Sequence, residues 1–237
     1  MREQLYEGKA KRIYRTDDEH VVLVEYKDSA TAFNGEKKAE ITGKGRLNNE
    51  ITSLLFLMLK EKGIESHFIK RISETEQLVK KVKIIPLEVV VRNVTAGTLA
   101  KRLGIEEGRE LSTPIVEFYF KNDELGDPLF TVDHILEMKL ASSEELNTLR
   151  QKGLEINQVL TSYFSELGIR LIDFKLEFGK DETGAILLAD EISPDTCRLW
   201  DSVTNEKLDK DIFRRDLGSL TEGYETILKR LGGHQNV

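Results

Sequence analysis

Residues 171–179 read LIDFKLEFG. Side chains of an extended chain alternate sides, so this run sends Asp173, Lys175 and Glu177 to one face and Ile172, Phe174, Leu176 and Phe178 to the other. The four apolar residues predict a strand lying on a core. Its charged face is then solvated, or looks into a cleft where the charges find partners. A second strand-like run, AILLADEIS (185–193), follows the turn KDETG (180–184) and ends in Asp190 and Glu191. Paired as a hairpin, the two runs set carboxylates beside Lys175, a combination suited to a magnesium ion carrying a polyphosphate. An antiparallel strand with a wet outer face shows the same alternation. In a regular strand, moreover, the adjacent Asp190 and Glu191 point to opposite faces.

Other stretches carry charge in patterns that fit anions. In YEGKAKRIY (6–14), Gly8 permits close backbone approach to a phosphate, and Lys9 and Lys11 supply compact positive charge around Ala10. The same residues suit an exposed basic hairpin, and the pattern is not a Walker loop, which needs GKS or GKT opening a helix. RNVTAGTLAKRLG (92–104) joins Arg92, Gly97, Thr98, Lys101 and Arg102 where a strand gives way to a helix. Amides at that helix start favour an anion, with Arg92 and the Thr98 hydroxyl closing on it; a helix with a solvated cationic face reads alike. DEISPDTCRLWD (190–201) packs acids, Ser193, Arg198 and Trp200 into an irregular stretch of the kind that carries function on a rigid sheet. Trp200 reads as packing, and Cys197, with no histidine near it in sequence, as a small buried residue. KNDELGDP (121–128) offers Lys121, Asp123 and Asp127, although a turn alone explains Gly126 and Pro128.

The elements that must position these residues come from 237 residues, enough for one large domain or two modest lobes. A 39% hydrophobic and 32% charged composition is that of a soluble globular chain, and the net charge of −7 argues against general binding to nucleic acid or anionic membrane. One cysteine excludes an internal disulfide, as a reducing cytosol would have it. The histidines His20, His67, His134 and His234 form no zinc-spacing cluster. No leader-like or membrane-length apolar run is present, so a cytoplasmic location is expected. QLYEGKAKRIYRT and HVVLVEYKD predict short strands, and residues 28–45 a long loop. A helix follows with Leu47, Ile51, Leu54, Leu55, Met58 and Leu59 on one stripe and Gly63 past its end. Residues 80–97 read as two strands broken at Pro86, an elbow between lobes. A helix opens with the capping box Ser142–Glu145 and runs to Gly168. A last helix starts near Asp209 and carries Phe213, Leu217, Leu220, Tyr224, Ile227, Leu228 and Leu231. Strands first and mixed elements later predict an α+β chain of two lobes with a cleft between them.

IIPLEVVVRNVTAGT, LIDFKLEFG and DEISPDTCRLWD together closely resemble the SAICAR synthetase family of purine biosynthesis. LYEGKAKRIY, SATAFNGEKK and DKDIFRRDLG are similar to it too, in order from about residue 5 to 231. The resemblance implies a two-lobed, ATP-grasp-like α+β fold of antiparallel sheets with flanking helices and an ATP cleft. It puts a β-rich nucleotide-binding lobe at 1–85 and an α+β lobe with metal and substrate sites at 86–237. It implies that ATP phosphorylates the carboxylate of the imidazole ribotide CAIR and that L-aspartate attacks the acyl phosphate, giving SAICAR, ADP and phosphate. Such chemistry needs positioning and charge neutralisation more than a protein nucleophile. By the same resemblance Gly8, Lys9, Ala10 and Lys11 form the loop over the ATP phosphates, and Pro86, Leu87 and Glu88 the hinge beside the adenine. Glu177 and Asp190 are the Mg²⁺ ligands, and Lys175 is a catalytic cation. Arg92, Thr98 and Arg198 grip the CAIR phosphate. Asp127, a catalytic candidate, and Lys121, on the nucleotide side, fall near the ribose or imidazole. Asp173, Asp195 and Lys210 belong to the substrate site with roles left open. Threonine at 98 departs from the family's usual serine after Gly97 but keeps the hydroxyl. A homo-oligomer, a dimer, is expected, with no nucleic-acid or membrane partner. A small-molecule kinase of related architecture is the alternative reading; it would not need L-aspartate. A non-catalytic nucleotide-binding module is a second, against which the retained Glu177, Asp190 and phosphate-binding arginines speak.

Overall fold

Valines alternating along VVLVEY seed a first antiparallel sheet. The computed structural model describes residues 2–232; Met1 and 233–237, His234 among them, lie outside the described residues. Strands β1 (Gln4–Glu7), β2 (Lys11–Arg15) and β3 (Val21–Tyr26) form a meander. Residues 28–45 are not one long loop: β4 (Ser29–Ala32) and β5 (Lys37–Glu40) pair as a separate hairpin about a 3₁₀ turn at Phe33–Gly35. The alternation of small residues and lysines there was too weak to read as strand. Helix α1 (Lys44–Glu61) follows, and the Asp28 carboxylate caps it by accepting from the amides of Gly43 and Gly45 at 3.1 and 2.8 Å. Strands β6 (Phe68–Arg71) and β7 (Glu76–Lys80) then complete the sheet in the order β1-β2-β3-β7-β6. Ile13, Val22, Val24, Tyr26 and Val79 cluster on one face of it.

The second sheet holds the larger core. Strand β8 (Lys83–Val94) runs straight through Pro86, so the expected break into two strands does not occur. Instead β8 bulges against its neighbour: Glu88 faces Glu177 but Ile84 faces Gly179. Proline, lacking an N–H, is tolerated in such an irregularity, and its carbonyl still accepts from the amide of Lys121 at 3.1 Å. Helix α2 (Gly97–Leu103), strands β9 (Glu110–Phe120) and β10 (Leu129–Phe130) and helix α3 (Val132–Glu137) come next. Helix α4 (Ser143–Glu166) has the predicted capping box at Ser142 and Glu145. Strands β11 (Ile169–Lys180), β12 (Ile186–Ala189) and β13 (Cys197–Asp201) finish a sheet ordered β10-β9-β8-β11-β12, with β13 also on β11. Phe174, Leu176 and Phe178 of β11 pack with Val89 and Val91 of β8 against Leu149, Ile156, Leu160 and Phe164 of α4. The expected single C-terminal helix is two, α5 (Asp211–Arg214) and α6 (Leu220–Arg230). Ser219 caps α6 by accepting from the Glu222 amide, and Gly218 sits at φ 144°, so the chain turns there and leaves Leu217 exposed. No helix among the described residues is long and apolar enough to cross a membrane.

Candidate active site

The register of β11 against β8 decides the site. Phe174 opposes Val91 and Leu176 opposes Val89 on the core face, so Asp173, Lys175 and Glu177 lie on the other, opposite Arg92, Val90 and Glu88. That face is no wet exterior: Asp173 and Glu177 are buried. It looks into a cavity of about 690 Å³ whose other wall is the first sheet, through Tyr6, Ile13, Val22, Val24 and Val79. An apolar slot thus faces a charged floor.

On that floor Lys175 and Lys11 are each shared between acids. Lys175 Nζ lies 2.7 Å from Glu177 Oε1, 3.1 Å from Glu88 Oε1 and 3.7 Å from Asp190 Oδ2. Lys121 donates to Glu177 Oε1 at 2.7 Å. Lys11 reaches from β2 to Asp190 Oδ1 at 2.5 Å and Glu191 Oε1 at 2.9 Å. Asp190 takes a left-handed conformation, φ 58°, which aspartate adopts more readily than most residues. The strand alternation ends there, and both neighbouring acids face Lys11. Burial opposes the charge of Lys11, but Asp190 and Glu191 outweigh it and hold the ammonium well above the usual lysine range. Burial would raise Asp190, yet Lys11 and Lys175 hold it well below the carboxylate range. Burial pushes His67 down to about 4, so the imidazole beside the Asp190 carbonyl is neutral at physiological pH.

Gly8, Lys9 and Ala10 form the β1–β2 turn, Lys11 opens β2, and all four line the cavity. Lys9, exposed, meets Asp123 across the mouth at 2.7 Å. Of the proposed hinge only Glu88 lines the cavity. Leu87 is in the core, and Pro86 is turned to Lys121; Lys80, Lys81, Val82 and Ile84 form that wall instead. The bulge around Pro86 moves the wall a few residues upstream of the segment the motif singled out.

A second cavity of about 340 Å³ adjoins the first, and Glu88, Asp127, Lys175, Asp195 and Thr196 line both. Arg92, Thr98 and Arg198 meet in it with Asp173. Arg92 is buried and fully engaged: Nε donates to Glu117 at 2.6 Å, Nη1 to Asp173 at 2.8 Å, and Nη2 to Thr98 at 3.3 Å and Tyr119 at 3.0 Å. Arg198 Nη1 donates to Asp173 Oδ2 at 2.9 Å and Nε to Asp211 at 3.0 Å. Arg102 on Glu117 and Arg214 on Asp211 end an alternating chain, Arg102–Glu117–Arg92–Asp173–Arg198–Asp211–Arg214. Its four arginines outnumber its three acids, so the ion-pair chain itself carries one net positive charge, and Arg92, Arg198 and Arg214 present guanidinium groups to the chamber for an incoming anion. Glu117, Tyr119 and Arg214 were not singled out in the sequence; period two along EFYF would have placed Glu117 and Tyr119 on one face. Asp127 lines both cavities, at φ 48°, and accepts from the Asn122 amide. Asp195 and Lys210 sit 3.5 Å apart at the edge of the larger one. Burial pushes the Cys197 thiol up, which removes it as a nucleophile. Trp200 is buried with Val94, Ala96 and Ile172, with Lys207 Nζ over its ring.

An apolar slot over a lysine–carboxylate floor, opening onto an arginine-rich chamber, defines an enzyme that brings a polyphosphate to a second anionic substrate. The family model for SAICAR synthetase matches residues 4–231. A phosphoribosylaminoimidazole-succinocarboxamide synthase of Bacillus cytotoxicus is 69% identical over 99% of this chain and 98% of its own length. The crystal structure of the Ehrlichia chaffeensis synthase superposes with a TM-score of 0.96 at 49% identity, covering 99% of this chain and all of that one. A SAICAR synthetase in complex with ADP superposes at 0.94 with 50% identity, covering 97% of each chain. The chain belongs to the SAICAR synthetase family. It is an ATP-dependent carbon–nitrogen ligase of purine biosynthesis with the α+β fold of that family. The kinase and binding-module alternatives fall with that membership.

Proposed function

We propose that the larger cavity takes ATP, that the arginine chamber takes the phosphate of CAIR, and that the two substrates react where the cavities meet at Lys175. The observation that carries this reading is the shared wall, with Lys175 between a slot suited to a nucleotide and a chamber suited to a phosphate. A carboxylate oxygen of CAIR attacks the γ-phosphorus and the bond to the β-bridging oxygen breaks, releasing ADP. The amine of L-aspartate then attacks the acyl carbon, the carbon–oxygen bond to phosphate breaks, and the amine proton passes to solvent or base. Lys11 and Lys175 hold the transferring charge, and Lys121 supports Glu177. The Arg92–Asp173–Arg198 array orients the ribotide.

Among the described residues no three acids, histidines or cysteines gather as a metal cage. Magnesium commonly takes only one or two carboxylates, with phosphate oxygens and water completing its shell. Glu177 and Asp190, 2.7 and 3.7 Å from the same Lys175 nitrogen, fit that role and would hold the ion. When bound, magnesium would neutralise phosphate charge. Strands of the first sheet fall within 4–80 and those of the second within 83–201, which supports two lobes but divides them at 81–82, because a boundary between 1–85 and 86–237 would cut β8. A lone buried thiol suits a reducing cytoplasm.

The test follows the oxygen. CAIR carrying heavy oxygen in its carboxylate should pass label to inorganic phosphate only when L-aspartate is present. Label confined to SAICAR and water, or release of AMP, would sink the acyl phosphate route.

A further inference from the structure

Asp195 carries more cations than one carboxylate balances. Lys44, the first residue of α1, is completely buried, and its Nζ lies 2.7 Å from Asp195 Oδ2 in a pair too bent for a hydrogen bond. The Tyr224 hydroxyl of α6 donates to Oδ1 at 2.5 Å. Lys210, just ahead of α5, shares Oδ2 at 3.5 Å, too far for a hydrogen bond. Backbone bonds fix the loop: the Asp195 amide donates to Ser193 Oγ and the Lys210 amide to the Pro194 carbonyl. Lys44 has no surface to share its charge with water, so Asp195 is committed to it. Lys210, part of the larger cavity's wall, is left with free donors facing inward.

We propose that Lys210, braced by Asp195 and the buried Lys44, anchors a carboxylate of the amino-acid co-substrate where the two cavities meet. This rests on the ligase reading. Charge count supports a carboxylate: two ammonium groups on one aspartate leave one positive charge, which a monoanion matches. The polyphosphate already has Lys11 and Lys175, and the ribotide phosphate has the arginines. Position supports it too, because Asp195 and Thr196 line both cavities, placing an anion at Lys210 beside the carbonyl that the amine must reach. Burial, with Lys44 and Arg214 facing it, works against the Lys210 charge, and Asp195 and Glu191 do not fully offset this. An added anion relieves that deficit.

Initial rates of ADP release are measured with L-aspartate, ATP and CAIR each varied in turn, on the full chain. Lys210→Met should raise KM for L-aspartate roughly ten- to a hundredfold, the range for a lost charge-assisted contact. KM for ATP and CAIR should stay within about twofold, and Lys210→Arg should restore most of the aspartate affinity. Inhibition by succinate, a dicarboxylate without the amine, should weaken in parallel. Tyr224→Phe, which frees one Asp195 oxygen, should raise only the aspartate KM, by less. If Lys210→Met does not fold, Lys210→Gln carries the same comparison. An unchanged aspartate KM, or equal rises for all three substrates, overturns the anchor. Wild-type protein that turned over ATP and CAIR without L-aspartate would overturn the ligase reading itself, and the anchor with it.

Discussion

Gly97 opens α2 at φ 51°, and a Cβ built there would stand 2.4 Å from Nη2 and 2.8 Å from Cζ of Arg198. Gly97→Ala therefore carries two separable penalties. The left-handed backbone costs an alanine about 1–2 kcal/mol, which for a chain of this size lowers Tm by about 2–8 °C. The second penalty falls on Arg198. Its guanidinium cannot swing aside freely, because Nη1 is held by Asp173 and Nε by Asp211. Pushing it off the Gly97 backbone means breaking one of those contacts or losing its grip on the substrate phosphate. In both cases the guanidinium leaves its place at the phosphate, and that lost charge-assisted contact is worth roughly 1.5–3 kcal/mol, about ten- to a hundredfold in KM for CAIR. KM for ATP should hardly move. Gly104 supplies an internal control: it is also left-handed, at φ 63°, but nothing lies within 4 Å of its virtual Cβ. Gly104→Ala should lose the same stability and leave KM for CAIR alone. Thermal melts with steady-state rates at varied CAIR test both variants. A folded Gly97→Ala enzyme with wild-type KM for CAIR would refute the assignment of Arg198 to the phosphate.

Three further outcomes follow from the same geometry. Glu177→Gln and Asp190→Asn should each cut kcat at least about a hundredfold, since uncompensated phosphate charge costs several kcal/mol at the transition state; near-normal rates at saturating Mg²⁺ would remove both from the metal site. Amide exchange across Gly8–Lys11 should slow on adding ADP and Mg²⁺, because the exposed Lys9–Asp123 pair holds the turn only weakly; unchanged protection would move the phosphate loop elsewhere. Burial and the neighbouring Asp211 push Asp209 from the usual 3.8 up to about 7, so the folded state holds a proton that the unfolded chain releases. Its stabilising contribution is complete below pH 3.8 and is lost as pH rises to about 7, worth up to about 4 kcal/mol. Urea unfolding of wild type should show that decline, and Asp209→Asn should flatten it; parallel profiles would mean Asp209 is ionised throughout.

What was legible in the sequence was periodic. LIDFKLEFG announced its two faces because alternation is local, and the capping box at Ser142 announced α4 for the same reason. Pairing partners were not legible. Nothing near Asp173 in sequence says that Arg92, eighty-one residues earlier, stands opposite it, and that register is what turns an acidic strand face into the centre of an arginine array. Conformation at single residues was hidden too. Strict alternation parts Asp190 from Glu191, and only the left-handed turn at Asp190 lets Lys11 hold both. Pro86 signalled a break that a bulge absorbed, and an apolar stripe continued through Leu217 although the chain turns at Gly218. Lys44 lay in what read as the end of a polar loop; its importance comes wholly from burial against Asp195.

The ion pairs of the floor also determine what binding must exchange. Lys11, Lys121 and Lys175 face four acids, Glu88, Glu177, Asp190 and Glu191, so each cation is already neutralised and one negative charge is left over. A polyphosphate arriving over Lys11 and Lys175 competes with Asp190 and Glu177 for them. Each lysine drawn to phosphate leaves a buried carboxylate short of positive charge, which is expensive in a low-dielectric site. A divalent ion brought in with the phosphates answers that shortage. Nucleotide and metal affinity are therefore linked through these two carboxylates: each should bind tighter in the presence of the other, by the same factor. The lysines that make the cleft attractive to phosphate are thus also the reason that phosphate alone is a poor ligand for it.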